Sequence, residues 1–481
     1  MIRVGFISHS PLRGGAERSL RALVKAIDRS RFHPIVFGMP CIDGVETVDF
    51  SFPWWVDSAP YFDSYRAFID GIQQRTARLA EEFRARAVDV VFTNSAVVCD
   101  GAIAAAMAGI PHIWHLRELF LDCSELHPPL SLPDFYSVIH SLSHRVTANS
   151  RAVAEEIESF APDCNVEVIY NGFDSEVFHF DPQCFSVPEG AKVVCFAGAF
   201  SERKGLGDLL LAARLLVPKL PNLYFAMIGA DIDEARFVQS QLARHGLTHR
   251  FLFCGYREDP RPYFASADIV VVPSQVEAFS RVAVEAMLQE KLVIASRSGG
   301  PEEILEDGVT GVLVPPGDIV ALAGAIELWI AVPNQVSEVG KRAAAIAREK
   351  FSLAQYQVAA EKIILEVAAQ HRQPVSDFLG NALVNTLRAA TVPALVRSRE
   401  HSRQREEHSR QMREEVGRLR AEVATLRQEN AQALWEIGKL NRDLVAVFQS
   451  RSWQIGNGIV APTVAIGKRL QRLLTQPLNS P

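Results

Sequence analysis

Residues 268–287 read DIVVVPSQVEAFSRVAVEAM. The apolar, largely β-branched run 269–272 has the composition of a parallel strand covered on both faces. Pro273 and Ser274 end it, and a helix is predicted from about Ser280 to Gln289. Glu277 falls in the loop and Glu285, eight positions on, inside the helix. At 3.6 residues per turn the second carboxylate sits roughly two turns from the first. Both can therefore face one crevice at the carboxyl end of the strand, where α/β sheets take their ligands. Glu285 lies among Val282, Val284, Ala286 and Met287, unlike an ordinary solvated glutamate.

The segment resembles the Glu-x7-Glu signature of retaining glycosyltransferases with the GT-B fold, specifically family 4. The resemblance continues through 295–304 (ASRSGGPEEI) and 307–315 (DGVTGVLVP). It implies two Rossmann-like doubly wound α/β domains facing a cleft. It also implies that Glu285 accepts hydrogen bonds from the ribose hydroxyls of a sugar nucleotide and that Glu277 lies beside the donor sugar. Ionised carboxylates are acceptors only, which suits both roles. Ala278, Phe279 and Ser280 are placed with them as donor-binding positions. The loop Ser298-Gly299-Gly300-Pro301 offers amides that can cradle phosphate or sugar.

The rest of the chain fits that frame. Its 481 residues allow two core domains with further segments. Composition is that of a globular protein, 48% hydrophobic and 22% charged, and the net charge of −6 leaves no nucleic-acid footprint. Seven scattered cysteines without ligand spacing fit a reduced, cytoplasmic setting. No run approaches the roughly 20 apolar residues of a spanning helix. The first residues, MIRVGFIS, are too short an apolar run for a signal peptide and read as a first strand.

In the first half, strands are expected at 4–8, 34–38, 88–93, 112–115 and 145–148, with helices at 16–27, 67–86 and 151–160 between them. This alternation predicts a doubly wound parallel sheet. After the first strand, Gly14-Gly15 opens a helix. Glycine lets backbone approach a ligand closely, and a helix N-terminus favours an anion. The resemblance places this pair over the donor phosphates and acceptor. It also implies a histidine at the end of a strand in contact with the donor sugar, for which His115 is the candidate. Arg117 and Glu118 either pair or line the acceptor site. Asn171-Gly172 marks the crossing to the second domain, followed by a linker at 181–190.

The second half opens on a strand at 192–198, followed by the sequence AFSERKG, Ala199-Phe200-Ser201-Glu202-Arg203-Lys204-Gly205. Further strands are expected at 223–228, 250–253, 269–272 and 292–295. The family holds its diphosphate with an arginine and a lysine. Lys204 matches the lysine, whereas Ala199 stands where the arginine is expected, so Arg203 is the candidate replacement. A guanidinium grips two phosphate oxygens at once and an ammonium acts as a point charge. Asp231-Ile-Asp233 has the spacing of a metal-binding motif but no supporting context, and no metal is expected. The catalytic candidates are thus His115, Lys204 and Glu277.

The expected domains are 1–180 and 181–350, with a helix at 351–371 returning to the first. A helical linker (372–408), a coiled coil (409–449) and a basic tail (450–481) follow. Met412, Val416, Leu419, Val423, Leu426, Asn430, Ala433, Ile437, Leu440, Leu444 and Val447 keep a heptad spacing. Asn430 at an a position favours a parallel homodimer or a pathway partner. Ser450-Arg451-Ser452-Trp453 resembles the end of coiled-coil tails on bacterial surface-polysaccharide glycosyltransferases, and Trp453 with Lys468, Arg469 and Arg472 suits peripheral contact with an anionic membrane. The expected activity is metal-independent transfer of a hexose-type sugar from a nucleotide-sugar to a glycan or lipid-linked acceptor. The alternative is a catalytically weak GT-B scaffold whose coiled coil recruits other enzymes.

Overall fold

The computed structural model describes residues 1–9, 14–38, 42–56, 62–123, 125–178, 184–229 and 232–370. The linker, coiled coil and tail read at 372–481 lie outside these residues, as does Asp231.

Two parallel sheets carry the chain. The first contains β1 (Ile2–Ile7), β2 (Phe32–Phe37), β3 (Glu46–Val48), β4 (Val90–Thr93), β5 (His112–Leu116), β6 (Arg145–Ala148) and β7 (Val166–Val168), in the order β3-β2-β1-β4-β5-β6-β7. The second contains β8 (Lys192–Ala197), β9 (Leu223–Ile228), β10 (Phe251–Gly255), β11 (Ile269–Val272), β12 (Leu292–Ser296) and β13 (Val312–Val314), in the order β10-β9-β8-β11-β12-β13. Every pairing is parallel. Parallel strands need helical crossovers, which cover both faces. Val4, Phe6, Val90, Phe92, Ile269, Val270 and Val271 are accordingly fully buried. Each such side chain contributes roughly 1.5–3 kcal/mol by leaving water. The Rossmann-like α/β architecture read from the sequence is the one observed.

In both sheets the order reverses beside the first strand, between β1 and β4 and between β8 and β11. Adjacent loops part there, and the gap at the strands' carboxyl ends is the ligand crevice of open α/β sheets. The loops leaving β1, β8 and β11 carry Gly14-Gly15, Arg203-Lys204 and Glu277.

After β13 the chain runs through helices Ile319–Ile330 and Pro333–Lys350, then Leu353–Ala368. The last helix packs Tyr356, Ala360, Ile363, Ile364 and Val367 into one cluster with Val4, Leu20, Val24 and Phe92 of the first domain. Its entry is fixed by Phe173 and Leu353, whose backbones exchange hydrogen bonds with the partner segment: Phe173 N–H donates to the Phe351 carbonyl at 2.9 Å and Leu353 N–H to the Phe173 carbonyl at 3.1 Å. Among the described residues no single helix is long and apolar enough to cross a membrane.

Candidate active site

A cleft of about 530 Å³ lies at the two switch points and is walled by both domains. The first domain contributes Gly14, Gly15 and Arg18. The second contributes Ala199, Arg203 and Lys204 after β8, Tyr256 and Arg257 after β10, and Ser274, Glu277, Ser280, Arg281 and Glu285 after β11.

Two constraints shape the second domain's wall. Gly205 has φ +70°, and a Cβ there would run into the Pro273 carbonyl, so only glycine lets the β8 loop lie against the end of β11. Gln275 N–H donates to the Arg203 carbonyl at 2.8 Å, stitching the same loops. Lys204 is thereby delivered to Glu277, its Nζ 2.5 Å from Oε2. Ser274 Oγ donates to that carboxylate at 3.2 Å. Burial opposes ionisation of Glu277, but the Lys204 and Arg203 charges and the Lys204 hydrogen bond prevail and hold its pKa below the ordinary carboxylate value.

Helix Arg281–Leu288 begins at Ser280, which has φ +75°, and its Oγ caps the first turn by accepting from Ala283 N–H. Such left-handed backbone in a non-glycine residue is strained and concentrates at functional sites. The turn sends Arg281 and Glu285 along one face of the helix, where Arg281 Nη2 donates to Glu285 Oε1 at 2.9 Å. Arg18 of the first domain reaches the same oxygen at 3.0 Å. Arg203 Nε donates to Glu125 of the first domain at 2.7 Å. Five cations thus face two carboxylates in the cleft. Counting Glu125 as well leaves a surplus of two positive charges.

Of the residues singled out from the sequence, Gly14, Gly15, Arg203, Lys204, Glu277, Ser280 and Glu285 meet in this cleft. Five others do not. His115 is wholly buried in β5, its Nδ1 2.9 Å from Thr147 Oγ1 and its ring 5.7 Å from that of Phe92. It does not line the cleft, and its Nε2 is buried without a hydrogen-bond partner among the protein atoms. Phe279 belongs to an aromatic cluster with Tyr170, Phe173 and Phe351. Ala278 packs on the core of the first domain. The amides of the glycine loop are already taken, since Gly299 N–H donates to Glu302 Oε2 and Gly300 N–H to the Glu277 carbonyl. Gly300 also lies so close to Phe279 that a side chain would not fit. These four residues brace the Glu277 loop from behind. Arg117 is buried as well and bonds Asn94, Asn171 and Tyr356. Glu118 bonds Ser95 and the backbone of Ala96.

Arg18, Tyr256, Arg257 and Arg281 also line the cleft, and nothing in the sequence marks them. Each is an ordinary polar or aromatic residue until the fold places it in the cleft. A second cavity, of about 690 Å³, lies on the other side of Arg203 and is lined mainly by apolar groups such as Phe200, Leu206, Leu210 and Val238.

Two family matches bear on this arrangement. Residues 13–177 match the family described as Glycosyltransferase Family 4, and residues 179–346 match Glycosyl transferases group 1. The two matches cover the two domains in turn, and the chain has the GT-B fold of glycosyltransferases. The boundary between the two matches coincides with the passage from the first sheet to the second. HepE (Alr3699) of Anabaena, solved with UDP and glucose, is similar at 25% identity with a TM-score of 0.62, over 76% of this chain and 100% of that one. The lipopolysaccharide core biosynthesis glycosyltransferase LpsE of Rhizobium meliloti is 31% identical over 39% of this chain and 54% of that protein. The lipopolysaccharide 1,2-N-acetylglucosaminetransferase of Salmonella typhimurium is 33% identical over 32% of this chain and 44% of that protein. The chain thus spans about half the length of these curated relatives.

Proposed function

We propose that this GT-B protein moves a hexose-type sugar from a nucleoside diphosphate sugar to a glycan or lipid-linked acceptor of bacterial surface polysaccharide, with retention at the anomeric carbon. The observation that carries the reading is the cleft's surplus positive charge, set at the switch points of both sheets, with Lys204 in the loop after β8. A diphosphate is the ligand whose charge and size answer it. The UDP and glucose bound by HepE and the lipopolysaccharide roles of the curated relatives support the donor and acceptor classes.

In this mechanism Lys204 leaves Glu277 to stabilise the charge that develops on the departing diphosphate. Arginine and lysine side chains do the neutralising that other transferases give to a metal ion. Glu277, freed from Lys204, accepts from sugar hydroxyls. Glu285 keeps a second oxygen, Oε2, for the ribose. The bond from anomeric carbon to diphosphate oxygen breaks on the same face on which the acceptor hydroxyl attacks, and that hydroxyl's proton passes to the departing phosphate oxygen. The opposed domains exclude water that would hydrolyse the donor.

The test is nucleotide release from UDP-, GDP-, ADP- and dTDP-sugars, with and without a lipid-linked or lipopolysaccharide-core acceptor fraction. Release with one donor that depends on acceptor, persists in EDTA and yields a product of unchanged anomeric configuration by NMR is expected. Acceptor-independent release, loss in EDTA or inverted product contradicts the corresponding part of the reading.

A further inference from the structure

Arg281 has no role in the residues singled out from the sequence, yet it is the most constrained cation in the cleft. Its Nη1 donates to Ser19 Oγ of the first domain at 2.6 Å and its Nη2 to Glu285 Oε1 at 2.9 Å. The guanidinium lies 4.5 Å from the centre of the Phe173 ring. Its stem passes over the glycine pair: a Cβ on Gly15 would come within 3.1 Å of Arg281 Cδ. Its Nε is buried without a hydrogen-bond partner among the protein atoms. Arg18 competes for the same Glu285 oxygen at 3.0 Å.

Two guanidinium groups therefore share one carboxylate in the cleft. That is an electrostatically incomplete arrangement, because buried charge is costly unless paired. Burial lowers the Arg281 pKa to about 10, Glu285 working against the shift and Arg18 with it. An anion arriving beside the pair would supply the missing charge. It would also meet the first amides of helix Gly15–Ala26, whose dipole favours negative charge.

We propose that Arg281, with Arg18 opposite it, is a second cationic arm that grips the donor's diphosphate, the first being Lys204. The assignment rests on the donor-site reading above and deepens it: the cation absent at Ala199 is supplied from the β11 side of the switch point and from the other domain. Because Arg18 belongs to the first domain and Arg281 to the second, binding the diphosphate would draw the domains together.

The competing role for Arg281 is to orient Glu285 alone. The two differ in which ligands they affect. Calorimetric titration of the full chain with UDP against UMP, and GDP against GMP, separates them. For the nucleotide that binds, Arg281→Gln is expected to weaken the diphosphate by about tenfold or more, as a lost charge-assisted hydrogen bond does. The monophosphate should change by no more than about twofold, and Arg281→Lys should recover part of the loss. Arg18→Gln, which leaves Arg281 paired with Glu285, should weaken the diphosphate in the same direction. Equal losses of mono- and diphosphate in Arg281→Gln would overturn the assignment in favour of orientation. Unchanged binding in both glutamine variants, with the diphosphate preference lost in Lys204→Ala, would overturn it while leaving the donor site standing. A wild-type chain that binds no nucleotide overturns the donor site and the assignment together.

Discussion

Lys204 Nζ donates to Glu277 Oε2 at 2.5 Å, joining the loops that leave β8 and β11 on either side of the reversal in strand order. The two residues are 73 positions apart in sequence. Each is the other's counter-ion, so a phosphate that engages Lys204 frees Glu277 for the sugar.

Removing either partner leaves a largely buried charge behind. Lys204→Ala and Glu277→Ala are each expected to cost roughly 3 kcal/mol of stability, with the double variant costing much less than the sum. Denaturant unfolding of the four proteins measures the coupling. Additive losses would show that the pair is not energetically linked.

Glu303 of the second domain caps a helix of the first. Its carboxylate accepts from Arg151 N–H at 2.8 Å and Ala152 N–H at 3.2 Å, and from the Tyr170 hydroxyl at 2.8 Å. A carboxylate at a helix N-terminus satisfies amides and the dipole together. Glu303→Ala should lower stability by about 1–3 kcal/mol and weaken nucleotide binding by loosening the contact between the two domains. Thermal unfolding with and without nucleotide checks both; a variant as stable as wild type would contradict the cap.

His115 provides a pH-dependent prediction. Burial first, then the Arg117 charge, push its pKa well below the ordinary value of about 6.5. The native ring stays neutral while the unfolded chain takes up a proton below that value. Stability is therefore lost as pH falls through about 6.5, by up to about 1.4 kcal/mol per pH unit for this one site. Unfolding of wild type and His115→Asn between pH 7.5 and 5.5 measures the difference, and the variant should show the shallower dependence. A variant that keeps its stability but loses turnover would instead return His115 to the catalytic machinery.

The parts of the fold visible in the sequence are those with local causes. Buried parallel strands are continuous apolar runs, so β1, β8, β11 and β12 stand out, and the span from Glu277 to Glu285 joins one strand to one helix. Edge strands β3 and β7 are three residues each and carry Glu46, Thr47 and Glu167 among their valines, too short and polar to mark themselves. Helix Pro333–Lys350 is hard to see in the sequence because its buried stripe, Val339, Gly340, Ala343, Ala344 and Ala347, is made of small residues. The surroundings of His115 are not legible because a strand's end does not reveal which way a side chain faces. Arg18 and Arg281 gain their meaning only where two domains meet, 263 positions apart in sequence.

A crystal structure of the chain soaked with UDP, and with GDP in parallel, would show where the donor's phosphates sit. The expected result is a nucleotide between the two sheets, its phosphates within hydrogen-bond distance of Lys204 Nζ, its ribose on Glu285, and the Lys204–Glu277 contact broken. A nucleotide lodged elsewhere, such as in the apolar cavity beyond Arg203, with Lys204 still on Glu277, would contradict it.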